Sequence, residues 1–205
     1  MTLTHFAIIA VCAYLLGSLS FAIIVSKVTL GKDIRNYGSG NAGLTNAYRT
    51  MGAKKTLFVL LGDIAKGAAA VSVGWALGGP VGKLTAGIFV ILGHMFPLYF
   101  GFKGGKGVLT SLGVVLMLNW VVFALLVVLL LPVVFIVKIV SLTVIIGYIL
   151  FPFFTLLINY IEGQPLLFNF AFALLMSCLG AFMHRENIKR LLAGTEYRFG
   201  QKKEG

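Results

Sequence analysis

The chain has 205 residues, 59% of them hydrophobic and 11% charged, with a mean hydropathy of +0.99 and a formal net charge of +11. That is far more apolar side chain than one soluble core of this size needs, so composition excludes a soluble globular domain and indicates an integral membrane protein. There are 17 basic residues against 6 acidic ones, and apart from Lys66 they lie outside the long apolar runs; they read as topology signals and as partners for anionic substrates or lipid headgroups, not for nucleic acid.

The first apolar run, residues 4–26, is long enough to span and is followed by Lys27, Lys32 and Arg35. It reads as an uncleaved first helix that enters from outside and ends inside. The polar interval 27–55 carries six positive charges against Asp33 alone and should be cytoplasmic. Residues 56–77 span outward, with Asp63 and Lys66 three apart on one helical face and able to pair. Gly78, Gly79, Pro80 and Gly82 make a turn, with Gly74, Gly78 and Gly82 spaced for close helix contact, and residues 84–100 return.

Residues 108–137 are the ambiguous segment, because 30 residues in one straight helix would run about 45 Å through a hydrocarbon core of roughly 30 Å. A break is predicted at Asn119 and Trp120, followed by a helix to Lys138, another over 139–161, a turn at 162–165 and a last helix over 166–183. The tail from His184 carries Arg185, Lys189, Arg190, Arg198, Lys202 and Lys203 against Glu186, Glu196 and Glu204. With seven helices every basic segment lies on one side of the membrane; six would put the tail outside. The expected fold is therefore an all-α membrane protein of seven transmembrane helices, a single membrane-embedded domain over 1–205, with cytoplasmic loops forming the active site. Cys12 and Cys178 lie alone in apolar segments and point to neither a disulfide framework nor a zinc site.

Three polar stretches carry the chemistry. Residues 101–110 read Gly-Phe-Lys-Gly-Gly-Lys-Gly-Val-Leu-Thr. Glycines let backbone N–H groups converge on an oxyanion, a helix starting near Val108 adds its positive end, and Lys106 supplies full charge. This is no Walker loop, since three residues separate Gly101 from Gly105 and Gly107 stands where a magnesium-binding hydroxyl belongs. The alternative is a tight turn whose lysines mark the cytoplasmic side. Residues 37–49 interleave three glycines with Ser39, Asn41, Thr45 and Asn46 and end on Arg49, combining uncharged donors with a bidentate anion fork. In the tail, His184, Asn187 and Leu191 share one face of a helix. A lone His94 before Phe96 and Pro97 reads as a packing residue.

Together, Gly38-Ser-Gly-Asn41 through Arg49, Gly93-His-Met-Phe-Pro97 with Gly104-Gly-Lys-Gly107, and His184-Arg through Glu196 resemble the bacterial acyl-phosphate-dependent glycerol-3-phosphate acyltransferases, the PlsY family. The resemblance covers nearly the whole chain, with Leu44 and Leu109 as departures where alanine is expected. It implies transfer of a fatty acyl group from long-chain acyl phosphate to glycerol 3-phosphate, giving lysophosphatidic acid at the cytoplasmic face of a bacterial inner membrane. Gly104, Gly105, Lys106 and Gly107 would bind the substrate phosphate, Ser39, Asn41 and Arg49 would position phosphate groups, and His184 and Asn187 would lie near the reacting hydroxyl and carbonyl. Whether His184 or a substrate phosphate accepts the proton stays open. The resemblance implies no cofactor and no metal, and leaves room for association with the enzyme that makes acyl phosphate.

The residues agree with this chemistry. None of the histidines has Asp five positions on, where Ala10, Tyr99 and Lys189 stand, so the His-x4-Asp acyltransferases are excluded as a close match. A Gly-x-Ser-x-Gly elbow is also missing. The competing class, a transporter of a phosphorylated solute, gathers its polar groups near the bilayer midplane in repeated halves; here they collect at one face, apart from Asp63 and Lys66.

Overall fold

A chain surrounded by hydrocarbon must satisfy each backbone N–H and C=O internally, and long apolar runs do so as helices. The computed structural model describes residues 1–199, so Lys202, Lys203 and Glu204 lie outside the described residues. Among the described residues the regular elements are all helical: α1 (Leu3–Gly17), α2 (Phe21–Leu30), α3 (Leu44–Met51), α4 (Ala53–Met95), α5 (Val108–Leu118), α6 (Trp120–Val137), α7 (Val140–Ile161), α8 (Leu166–Met183) and α9 (Arg185–Leu192), with 3-10 turns at Ile34–Asn36 and Leu98–Phe100. Five stretches are long and apolar enough to cross a membrane: Leu3–Leu30, Ala53–Phe100, Trp120–Val137, Val140–Ile161 and Leu166–Met183. Their outer faces keep large side chains uncovered, including Phe58 at 65%, Ile136 at 79% and Phe153 at 64% exposure. Lipid tails are the solvent that makes such exposure favourable, and this is a multi-pass membrane protein.

The chain divides into two compact units, Met1–Asn119 and Trp120–Gly205. In the first, α4 is a helical hairpin. Its backbone leaves the helix at Gly79 (φ 57°, ψ −144°), a conformation open to glycine, and Pro80 begins the returning arm where its missing N–H is not needed. α1 packs on α4 and α5 packs on α4. The α1–α4 approach is backbone to backbone: a Cβ on Gly17 would lie 2.1 Å from the Val90 carbonyl oxygen, and one on Gly93 2.2 Å from that of Tyr14. Any side chain at either position would force the helices apart.

Two expectations need correction. The first helix is not continuous over 4–26: α1 stops at Gly17 and α2 starts at Phe21. Ser18 Oγ donates to the Tyr14 carbonyl (2.8 Å), and the carbonyls of Gly17 and Leu19 accept from Lys66 Nζ at 2.9 and 2.6 Å. A break is tolerated here because a side chain from α4 satisfies the carbonyls that the helix no longer does. The polar interval 27–55 is also not simply a loop. It holds the end of α2, a 3-10 turn and α3, tied down by a core of Ala22, Ile23, Ile34, Ala42, Ala47 and Val59. The break predicted near residue 119 is present: α5 ends at Leu118 and Asn119 is extended (φ −157°, ψ 107°).

In the second unit α6 packs on α7 and α7 on α8. Buried Phe151, Phe172, Ala173 and Met176 form its apolar interior, and α9 leaves α8 at His184.

Candidate active site

The polar groups of the first unit are organised by Asn46, which is 2% exposed. Its Nδ2 donates to the carbonyls of Ile34 (3.2 Å), Tyr37 (3.0 Å) and Asn41 (3.0 Å), while its Oδ1 accepts from the Ser39 N–H (2.9 Å). One amide thus closes the whole 34–41 turn upon α3. A Cβ on Gly38 would lie 2.2 Å from Asn46 Oδ1 and 3.4 Å from Arg49 Cδ, so the Arg49 side chain runs beside this turn. Ser39 is exposed, and Asn41 and Arg49 are half-buried.

Residues 101–107 form the second polar turn. Arg35 fastens its start by donating to the carbonyls of Phe100 (2.6 Å) and Lys103 (3.1 Å). Asp33 holds that guanidinium through Nε (3.0 Å) and Nη2 (2.8 Å). Chiefly because of the Arg35 hydrogen bonds, and against the effect of burial, the Asp33 carboxyl is lowered from 3.8 to about 2. Approaching from the other side, Tyr14 Oη donates to the Phe96 carbonyl (2.6 Å) and the Leu98 N–H donates to Ser18 Oγ (3.2 Å).

The two turns meet at Gly105. A Cβ there would lie 2.6 Å from the Ala42 carbonyl oxygen and 2.4 Å from His94 Nε2, so only glycine admits this approach. The structure therefore places Ser39, Asn41 and Arg49 on the segment whose Ala42 carbonyl approaches Gly105, within the turn that holds Gly104, Lys106 and Gly107. Not every amide of the second turn is turned outward: Gly104 N–H donates to the Met95 carbonyl and Gly105 N–H to the His94 carbonyl, each at 3.2 Å. Gly107 adopts φ 84° and leads into α5, whose first-turn N–H groups lack intrahelical carbonyl partners by geometry. Lys106, half-buried, stands directly before Gly107 and the start of α5.

Behind the turn sits a cluster that sequence reading left unassigned. Asp63, Lys66 and His94 are 1%, 3% and 3% exposed. Lys66 Nζ lies 2.9 Å from Asp63 Oδ1 and 3.0 Å from His94 Nδ1, besides its two carbonyl contacts in the α1–α2 break.

In the second unit, His184 is buried at the α8–α9 junction and its Nδ1 lies 2.8 Å from the Gly180 carbonyl. A carbonyl oxygen only accepts, so Nδ1 carries the proton and Nε2 is the acceptor nitrogen. The Tyr148 ring lies 5.9 Å away, tilted by 57°. Asn187 is also buried, and its Nδ2 donates to Glu196 Oε1 at 2.6 Å. Ser141 Oγ donates to the same oxygen (2.8 Å) and Arg190 Nε to Oε2 (2.7 Å). Burial would raise the Glu196 carboxyl, yet the hydrogen bonds from Ser141, Asn187 and Arg190 outweigh it and the group is lowered. Asn46, Arg35 and Glu196 are the organising residues that the sequence reading did not assign to the site; Asn46 and Arg35 lay in view within the first polar interval. Among the described residues, no group of three or more His, Cys, Asp or Glu side chains is placed to hold a metal ion.

Membrane-length helices, two polar turns that meet at Gly105, and a buried histidine near an asparagine held by a carboxylate fit the class of integral membrane enzymes that handle phosphorylated substrates. The family model described as glycerol-3-phosphate acyltransferase matches residues 7–194. A glycerol-3-phosphate acyltransferase from Thermoanaerobacter sp. (strain X514) is 43% identical over 195 residues, covering 95% of this chain and 96% of that one. Another from Clostridioides difficile (strain 630) is 42% identical over 210 residues, covering both chains fully. The crystal structure of PlsY (YgiH), an integral membrane glycerol 3-phosphate acyltransferase, in its glycerol 3-phosphate form superposes with a TM-score of 0.85 at 37% identity, covering 95% of this chain and 96% of that one. Its lysophosphatidic acid form gives 0.83 at 35%, covering 95% of each. The chain belongs to the glycerol-3-phosphate acyltransferase family, within the PlsY group.

Proposed function

We propose that this protein transfers a fatty acyl group from long-chain acyl phosphate to glycerol 3-phosphate, releasing 1-acylglycerol 3-phosphate and inorganic phosphate. The observation that carries the reading is the meeting of the Ser39–Arg49 segment with the Gly105–Lys106 turn at the Ala42 carbonyl, in a chain whose relatives of the same length are named glycerol-3-phosphate acyltransferase. Lys106, Gly107 and the start of α5 bind the phosphate of glycerol 3-phosphate, while Gly104 and Gly105 shape the turn. Ser39, Asn41 and Arg49 position phosphate groups and stabilise the departing phosphate. The attacking hydroxyl oxygen bonds to the acyl carbonyl carbon, the carbonyl–phosphate bond breaks, and the hydroxyl proton passes to His184 Nε2, which Nδ1–H donation to Gly180 leaves as the basic nitrogen. Asn187, held by Glu196, serves the carbonyl oxygen.

The whole chain acts as one acyltransferase domain of seven passes: α1 with α2, the two arms of α4, α5, α6, α7 and α8. It lies in a bacterial inner membrane with the polar turns facing the cytoplasm, where acyl phosphate is supplied by the enzyme that makes it, in association with this one. Acyl phosphate is taken as the donor because the motifs resemble the acyl-phosphate-dependent family and none of the three histidines has Asp five positions on, as the His-x4-Asp acyltransferases require. The test is to supply purified protein with palmitoyl phosphate or palmitoyl-coenzyme A and glycerol 3-phosphate. Lysophosphatidic acid should form with the first donor and scarcely with the second. Equal rates with both would overturn the donor assignment, and no product with either would overturn the reaction.

A further inference from the structure

Asp63, Lys66 and His94 take no part in the reaction just described, yet they place two formal charges and an imidazole in the interior of a membrane unit, where unused polar groups are costly. An ammonium has three hydrogens, and Lys66 Nζ has three hydrogen-bond partners within 3.0 Å, the carbonyls of Leu19 and Gly17 and His94 Nδ1, besides its ion pair with Asp63 Oδ1 at 2.9 Å. Lys66 is therefore fully committed inside the fold and does not reach a substrate. Its contact with His94 is directional. An Nδ1–H would face the ammonium hydrogens, so Nδ1 holds a lone pair and the proton resides on Nε2. The 3.5 Å approach of Asp63 Oδ1 to the same nitrogen is too long to compete. Nε2 in turn lies against the place a Gly105 Cβ would take, as does the Ala42 carbonyl, and the His94 carbonyl accepts the Gly105 N–H. Both ends of His94 thus bear on the same glycine.

We propose that Asp63, Lys66 and His94 form a buried positioning element for the phosphate-binding turn. Asp63 holds Lys66, Lys66 fixes His94 as the Nε2–H tautomer across the α1–α2 break, and the imidazole seats Gly105 against Ala42, which sets where Lys106 meets the glycerol 3-phosphate. The proposal deepens the acyl-transfer reading and rests on its assignment of this turn to glycerol 3-phosphate. His94 and Lys66 are positioning residues here and touch no reacting atom.

The tautomer is read directly in the wild-type protein by nitrogen-15 NMR of labelled histidine in detergent micelles, which separates an unprotonated Nδ1 from a protonated one. The expected signature is Nδ1 unprotonated and Nε2 protonated; the reverse tautomer would overturn the proposal without any variant being made. Function is read as calorimetric binding of glycerol 3-phosphate together with turnover. The paired change Asp63→Asn with Lys66→Met removes both charges, so no lone ion is left buried. By the scale of outer partners that orient a binding group, it should weaken glycerol 3-phosphate binding about 10-fold or more, with the apparent constant for acyl phosphate within about 2-fold. His94→Gln, whose amide can accept from Lys66 and donate toward Gly105, should keep most of the binding, whereas His94→Leu should lose it. Unchanged glycerol 3-phosphate binding in both His94→Leu and the paired variant would overturn the proposal. Intact binding with no lysophosphatidic acid from wild type would instead overturn the acyl-transfer reading and leave this one standing.

Discussion

Asn187 donates its side-chain amide to Glu196 Oε1 across 2.6 Å, nine residues along the chain and with both groups buried or nearly so. That bond fixes which way the Asn187 amide faces. One of its two amide hydrogens is committed to the carboxylate, and Glu196 is itself held by Ser141 and Arg190. The orientation of a proposed catalytic side chain is thus set by residues outside the chemistry.

Removing the carboxylate should tell. A charge-assisted hydrogen bond is worth about 1.5–3 kcal/mol, so Glu196→Ala should lower kcat by about 10-fold or more and reduce thermal stability in detergent. Ser141→Ala takes away one neutral donor and should leave kcat within about 2-fold. The sign of the pH effect follows from the lowered Glu196 carboxyl: the folded state is favoured above the ordinary value of 4.5 and the gain is lost as pH falls through the lower folded value. Melting temperatures of wild type and Glu196→Gln should converge on acidification.

Asp33 and Arg35 give a second acid-sensitive contact. The Asp33 carboxyl is lowered from 3.8 to about 2 and its side chain is 17% exposed. The lowered carboxyl stabilises the fold above its ordinary value of 3.8, and that gain is lost as pH falls toward 2. Asp33→Asn should therefore destabilise the protein at neutral pH and scarcely at pH 2. It should also raise the apparent KM for glycerol 3-phosphate, since Arg35 would no longer be held on the Phe100 and Lys103 carbonyls. A stability difference independent of pH would show that the pair is not the source.

Binding and chemistry should separate between Lys106 and His184. In the proposed reaction Lys106 faces a phosphate charged in both ground and transition states, so Lys106→Ala should raise the apparent KM for glycerol 3-phosphate by about 10 to 150-fold with less effect on kcat. His184→Ala should lower kcat by about 100-fold or more with KM little altered. A Lys106→Ala enzyme with unchanged KM would reduce the glycine turn to a connector. His184→Gln with high activity would assign the proton to a substrate phosphate.

Topology is open to single-cysteine labelling. After replacement of the exposed Cys12 and Cys178, cysteines at Ser39, Lys103 and Thr195 should label from the cytoplasmic side, and one at Gln164 from outside. Lys103 is chosen over its neighbour because a Cβ on Gly104 would lie 2.0 Å from the His94 carbonyl oxygen. Labelling of Lys103→Cys and Thr195→Cys from opposite sides would rule out seven passes.

Much of the fold is legible in the sequence because helix formation in lipid is local. The apolar runs mark the spans, Gly79-Pro80 marks the hairpin, and the excess length of residues 108–137 demanded the break found at Asn119. The residue types proposed for the site are legible for a related reason: an anion needs glycine, lysine, arginine and amide donors, and such groups stand out against an apolar background. The interruption of the first span at Ser18–Ser20 was not legible. Serine and glycine occur in many unbroken membrane helices, and what permits this break is Lys66, 47 residues beyond the Leu19 carbonyl it satisfies.

Composition therefore determined a membrane-embedded helical protein with polar turns of glycine, basic residues and amide donors, and the motifs its family. The tertiary structure alone decided that Asn46 folds the first turn, that the Gly104 and Gly105 amides are consumed by Met95 and His94, and that Lys66 and His94 stand behind the second turn. A helix is specified by neighbours a few residues away, whereas a buried polar group must find whichever partner the packed fold brings to it, and that partner carries no mark in the local sequence.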